Sequence, residues 1–350
     1  MNSIGKSISK SGLTGKGWRG AMLVSIVGLM SCGSNDSEPP PSGPDAWAAV
    51  FQDQPGALLR AWGTSTSDVY LVGSDVGSGP AVLRYDGVSW RKLHPPTRGT
   101  LWWVVGVGPD DVRMVGDGGV ALSYSPSKDE FTVRPTNTDL TLFGVWGASP
   151  TDVWYVGGDT GRGRGVILRD DGSSVTELSH AATASAAFFK AQGTSANDVW
   201  LVGQLGHALH YDGTQLADTD TGTDLPLMGI HGRAPDRFFA AGGVADGVLL
   251  SWDGSAWHSE TPPETPQMIS VWASSDEKIY AAGFNGRVFG RTDGRWSELA
   301  AKIPTYQDIH AIWTDEKGGI WLVGGRLAEN PPKAGMLVHY GQPISSELRE

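Results

Sequence analysis

The chain has 350 residues and a formal charge of −11, with 49 glycines, 15 tryptophans and a single cysteine. That acidic balance offers no basic face for phosphate and excludes nucleic acid as a partner. One cysteine excludes an intramolecular disulfide, so burial and hydrogen bonding must hold whatever fold the chain adopts.

Residues 1–31 contain Lys6, Lys10, Lys16 and Arg19 but no acid, and lead into the apolar run AMLVSIVGLM at 21–30. Ten residues are too few to cross a bilayer, and basic residues before a short apolar run read as a secretory signal peptide. The segment ends in Leu-Met-Ser-Cys, with the sole cysteine, Cys32, in last place. This resembles a bacterial lipobox, apart from Met30 where a small residue is usual. The resemblance implies lipidation of Cys32 and a mature protein anchored in the bacterial envelope, at the outer membrane or cell surface. Residues 32–44 then form the lipidated cysteine and a polar, proline-rich tether, GSNDSEPPPSGP, with nothing to bury. At about 3 Å per residue it reaches roughly 40 Å.

From residue 45 to 350 one pattern recurs. In WGASPTDVWYVGG (146–158), an aspartate lies five residues after Gly147 and a glycine ten residues after it. The same spacing fits seven segments, whose closing glycines are Gly73, Gly116, Gly157, Gly203, Gly242, Gly283 and Gly324. The period averages about 42 residues and contains four short β-rich runs, as in LFGVWG, VWYVGG, GVILRD and SVTEL of the third copy. Asp-Gly hairpin turns recur at 86–87, 171–172, 212–213, 253–254 and 293–294. The second run (VYLV, VWYV, VWLV, IWLV) does not alternate, so both of its faces are covered. Together these predict an all-β, seven-bladed β-propeller of four-stranded antiparallel blades, with the tryptophans packing between blades and Asp152 serving as a turn residue. Pairing of N- and C-terminal strands closes the ring. DAWAAV (45–50) resembles the outermost runs VSWRKL and SAWHSE and is the favoured closing strand, with PISSEL (343–348) as its competitor.

In this strand order the second-to-third and blade-to-blade loops share one face, and these loops vary most in length. That face, or the mouth of the axial channel, is where a site is expected. Arg162, Arg164, Arg326 and Lys333 are the basic residues of its two longest second-to-third loops. Three residues before the reference position, the innermost strands carry Arg60, Trp103, Gly144, Lys190, Gly229, Ser270 and Ala311. Arg60 and Lys190 therefore point toward the channel, to meet an anion or a backbone carbonyl. DTDTGTD (218–224) sets Asp218, Asp220 and Asp224 at calcium-loop spacing, but Thr223 replaces the sixth-position glycine and Gly229 the closing glutamate. An acidic surface loop is the competing reading, and no cofactor is expected. Metalloprotease, nucleophile-elbow and P-loop motifs are missing, and the one GxGxxG, at 15–20, lies in the signal peptide.

The repeat, with RYDGVSW (84–90) and SWDGSAW (251–257), is similar to that of bacterial secreted BNR/Asp-box-like propellers, many of them lipoproteins of unassigned role. Each copy is one residue shorter than the sialidase Asp box. The resemblance covers about 45–343 and implies the fold; the Asp box is a turn motif remote from the sialidase active site, so no catalytic residue carries over. The expected function is a monomeric, membrane-tethered, non-catalytic propeller that binds a protein or glycan partner. The alternatives are a sialidase- or lyase-like glycan-processing enzyme with its site at the channel mouth, and an envelope assembly factor.

Overall fold

The computed structural model describes residues 46–299 and 302–349. The segments that the sequence reads as signal peptide and tether, with Cys32, lie outside the described residues. Seven blades of four antiparallel strands surround a common axis, and in blades 1 to 6 the four strands run from innermost to outermost in chain order. Blade 3 is representative, with strands Thr141–Ser149, Asp152–Asp159, Arg164–Asp170 and Val175–Glu177. The fold is the seven-bladed propeller that the repeat predicts.

Burial on both faces explains the unbroken apolar second strands. Val153, Trp154, Tyr155 and Val156 are all inaccessible to solvent. Trp154 and Val156 pack with Phe188, Ala191 and Val199 of blade 4, while Val153 and Tyr155 pack with Val107 and Val115 of blade 2. Alternate residues of one strand thus serve opposite neighbours.

The two glycines of the repeat are close-approach positions. A Cβ on Gly193 would stand 2.7 Å from the Trp146 ring of the preceding blade, and one on Gly63 would stand 3.0 Å from that of Trp313, which carries the contact from blade 7 to blade 1. At all seven closing glycines a Cβ would fall 1.9–2.4 Å from a carbonyl oxygen at the start of the innermost strand. The aspartate between them does more than turn the chain. Asp68, Asp152 and Asp198 accept from Arg84, Arg169 and His210 of the third strand at 3.0, 2.9 and 2.7 Å.

Both ends of the described chain meet at the seam. Ala46–Gly56 pairs antiparallel with Lys333–Gly341, completing blade 7 as DAWAAV predicts. The competing C-terminal segment takes another place: Leu348–Arg349 runs parallel to Trp90–Lys92 as a fifth strand of blade 1. Trp90 holds it there, its backbone N–H donating to Glu347 O at 2.7 Å and its indole N–H to Ser345 O at 2.9 Å.

One buried ionic network staples blades 2 and 3. Arg113 of blade 2 donates to Asp170 Oδ2 at 2.8 Å and to Tyr155 Oη at 2.7 Å, and Arg134 donates to Asp170 Oδ1 at 2.6 Å. Burial alone would raise the Asp170 carboxyl; the hydrogen bonds from Arg134, Arg113 and Gly172 outweigh it and hold the group below the usual carboxylate range. Its stabilisation is therefore present at neutral pH and lost as the pH falls through that lowered value. Asp170→Asn leaves two guanidinium groups without their shared charge and should cost about 3 kcal/mol. The expected readout is a lower urea midpoint with an unchanged slope.

Candidate functional site

Every innermost strand skips one residue against its neighbour, and the skipped residues are Leu59, Trp102, Phe143, Phe189, Met228, Ile269 and His310. They lie near the start of each strand, at the end of the channel nearer the variable loops. Trp102 approaches Phe143 at 5.5 Å and His310, two blades away, at 5.9 Å; Phe143 approaches Phe189 at 5.7 Å. These side chains make an apolar collar around the mouth. Asp117, in the second-to-third turn of blade 2, fixes the Trp102 indole by accepting its N–H at 2.8 Å.

One residue deeper stand the two cations. The Arg60 guanidinium carbon lies 4.1 Å from the Trp103 ring centre and 5.1 Å from that of Trp272; Lys190 Nζ lies 4.1 Å from Trp103. Blades 1, 2, 4 and 6 thereby meet across the axis. Arg60 is 3% exposed and Lys190 5%. Arg60 Nη1 donates to Ile312 O and Lys190 Nζ to Phe143 O, each at 3.2 Å, while Arg60 Nε has no partner. Of the two fates expected for these cations, the described residues supply the backbone carbonyl. Burial, reinforced by the Arg60 charge, pulls Lys190 down to about 7, and burial pulls Arg60 down to about 9. Burial and the Lys190 charge take His310 to about 3, so its neutral ring donates through Nδ1 to Leu59 O.

The variable face carries apolar groups held in solvent. The second-to-third turns of blades 2, 4 and 6 are Asp117–Gly119, Gln204–Gly206 and Phe284–Gly286, each with a left-handed middle residue. Two use Gly118 and Asn285, residue types that adopt that conformation readily; the third uses Leu205, at φ 56°, with 55% of its surface exposed. A left-handed leucine costs about 1–2 kcal/mol. Gly206 sits against Thr223 O, and Gly243 N–H donates to Pro226 O at 2.9 Å, so the loops bearing Leu205, Leu225 and Val244 adjoin. Tyr306, on the loop before blade 7, is 92% exposed.

The other expected residues are not gathered into one site. Arg162 pairs with Asp159 of its own loop at 3.2 Å, and Arg326 and Lys333 both approach Glu329 of theirs, at 3.5 and 3.6 Å. Arg164 is exposed, with no carboxylate partner among the described residues. Asp218 is engaged by His207 Nδ1, and Asp220 accepts from Gly222 N–H at 2.9 Å. No group of three metal-ligating side chains, Asp218, Asp220 and Asp224 included, forms among the described residues. The collar was not anticipated, because a skipped residue leaves no trace in spacing. Its only signal was the bulky pairs Trp102-Trp103 and Phe189-Lys190.

No protein-family model matches the sequence, and no curated protein is significantly similar to it. Solved structures do resemble it. A streptogramin B lyase is 14% identical over 83% of this chain and 96% of its own, with a TM-score of 0.67. The WD40 repeats of RRP9 are 13% identical over 87% and 99%, with a TM-score of 0.65. YCF48 bound to a D1 peptide is 12% identical over 72% and 94%, with a TM-score of 0.55. At these identities the likeness establishes the propeller fold alone.

The lowered Lys190 value has a stability consequence. Below about 7 the amine is charged in both folded and unfolded chains and the fold carries the burial cost; that cost fades as the pH rises from there toward the ordinary lysine value. Lys190→Met should therefore stabilise the protein by about 2 kcal/mol more at pH 6 than at pH 9. Urea denaturation at the two pH values checks this.

Proposed function

We propose that this chain is an envelope lipoprotein, anchored through Cys32, whose propeller is a non-catalytic binding module for a protein partner. The variable-loop face is the docking face. The observation that carries this reading is Leu205, an exposed leucine in a backbone conformation that the sister turns give to glycine and asparagine. A costly conformation that gains no burial is understandable where something outside the chain covers the side chain. Leu225 and Val244 on adjoining loops, Tyr306 farther round the same face, and the collar at the mouth add apolar surface. Among known propellers, YCF48 takes a peptide.

A glycan partner would call for an open aromatic platform, and three of the four exposed large apolar residues on this face, Leu205, Leu225 and Val244, are aliphatic. A sialidase- or lyase-like reaction would need carboxylates converging on the channel cations; among the described residues neither Arg60 nor Lys190 has one as an ion-pair partner. An assembly factor that docks its client on this face is one form the binding function can take.

Two experiments test this reading. Leu205→Asn should leave the melting temperature equal or raised by a few degrees, because asparagine suits the left-handed turn, while in-cell cross-linking of the full-length chain loses its protein adduct. An adduct unchanged in yield would overturn the docking face, and a glycan recovered in place of a protein would overturn the partner class. Cys32→Ser should abolish lipid modification and release the chain from the membrane fraction; unchanged processing and fractionation would refute the anchor.

A further inference from the structure

We infer that the axial channel is a carboxylate site, in which Arg60 and Lys190 receive the carboxylate and the collar above them holds an apolar body attached to it. The inference deepens the binding reading and rests on its choice of face.

Charge pairing supplies the first argument. Elsewhere in the body, arginines that leave the surface find carboxylates: Arg84, Arg113, Arg134, Arg169 and Arg291 each have one at 2.6–3.0 Å. Arg60 and Lys190 are more deeply buried than most of these, yet their partners among the described residues are two carbonyl oxygens and the π faces of Trp103 and Trp272. Carbonyls and rings soften a buried charge without neutralising it. Arg60 Nε keeps a hydrogen with no acceptor, and Lys190, with three to give, has one described acceptor. An anion on the axis would satisfy these donors and offset both charges.

The surroundings select among anions. The approach from the variable face passes Trp102, Phe143 and Met228, all partly exposed, and Trp103 is itself partly exposed on the axis. An apolar collar disfavours a heavily hydrated dianion such as phosphate, because shedding its water costs more than two partly compensated cations return. A single carboxylate with a hydrocarbon or aromatic body fits both levels: the body contacts the collar and the two oxygens face the cations. Such a group is offered by the end or an acidic side chain of an apolar peptide, or by an acidic sugar. The collar favours the peptide.

The test uses the full-length Cys32→Ser protein with 13Cε-labelled lysine, titrated from pH 5 to 10 with 3-phenylpropionate, glucuronate or chloride. Phenylpropionate at saturation should raise the Lys190 midpoint from near 7 by about one unit, and bind roughly tenfold tighter at pH 6 than at pH 8.5. Glucuronate and chloride should leave the midpoint in place. Arg60→Met should abolish the shift without removing the Lys190 signal; where that variant does not fold, the wild-type titration decides alone. A midpoint indifferent to phenylpropionate overturns the site, and one moved equally by chloride overturns the carboxylate selectivity. If Lys190 stays put while cross-linking still depends on Leu205, the axial site falls and the docking face stands. If Lys190 moves while Leu205→Asn leaves the adduct intact, the site stands and the docking face falls.

Discussion

The skipped residue in each innermost strand is the constraint on which ring and mouth both depend. A regular strand sends successive side chains to opposite faces, so consecutive residues cannot both reach the axis. With one residue looped out of the ladder they can. Trp102 touches His310 across the mouth while Trp103 meets Arg60 and Lys190 below. Two residues before each skip a carbonyl lies against the second strand, where a side chain has no room, and a glycine closes every repeat there. Scaffold and candidate site thus meet at one backbone irregularity made seven times.

Stability in this architecture comes mainly from the seams between neighbouring blades. Each seam buries the apolar face of one second strand against the next blade, and the last is closed by Trp313 over Gly63 and by Ala46–Gly56 completing blade 7. The axis contributes less to holding the ring together. Its innermost strands can carry glycine at positions 144 and 229 and still pair there, with Val156 and Ala241. That leaves the axial positions free to carry groups costly to bury, such as Arg60 and Lys190, without loosening the ring.

Much of this was legible in the sequence because repetition supplied its own control. Seven copies of one spacing specified seven blades, and the unalternating second runs specified coverage on both faces. The resemblance of DAWAAV to other outermost strands picked the closing segment. The register of Arg60 and Lys190 also placed them on the axis. Other features depended on contacts that spacing does not encode. The collar required knowing where each strand skips. Arg162, Arg326 and Lys333 looked available until their loops folded Asp159 and Glu329 back onto them. Asp218, at calcium-loop spacing in the sequence, is set beside His207 by hairpin pairing, a contact that spacing does not encode. Leu205 could have been found by aligning its turn with those of Gly118 and Asn285, but its left-handed backbone is what gives the difference meaning.

Departures from the repeat are of two kinds, and separating them locates function better than any motif does. Blade 7 has Gly319 where blades 1, 3 and 4 have the pairing aspartate, and His339 in the register position of Arg84, Arg169 and His210. Asp315, from the preceding turn, takes over part of the role: it accepts the Trp321 indole N–H at 2.9 Å and lies 3.9 Å from His339 Nε2. A cleft of about 440 Å³ opens there, walled by Gln342–Ile344. This exception has a structural cause, because the chain must leave blade 7 and cross to blade 1 at that point. Leu205 and the two axial cations have no such cause. The strands that carry or flank them keep the repeat, yet Leu205 gains little burial and neither Arg60 nor Lys190 has a carboxylate partner among the described residues. A repeat protein can hold its fold constant while single positions vary, so an unrecovered cost at such a position is best explained by a contact made outside the chain.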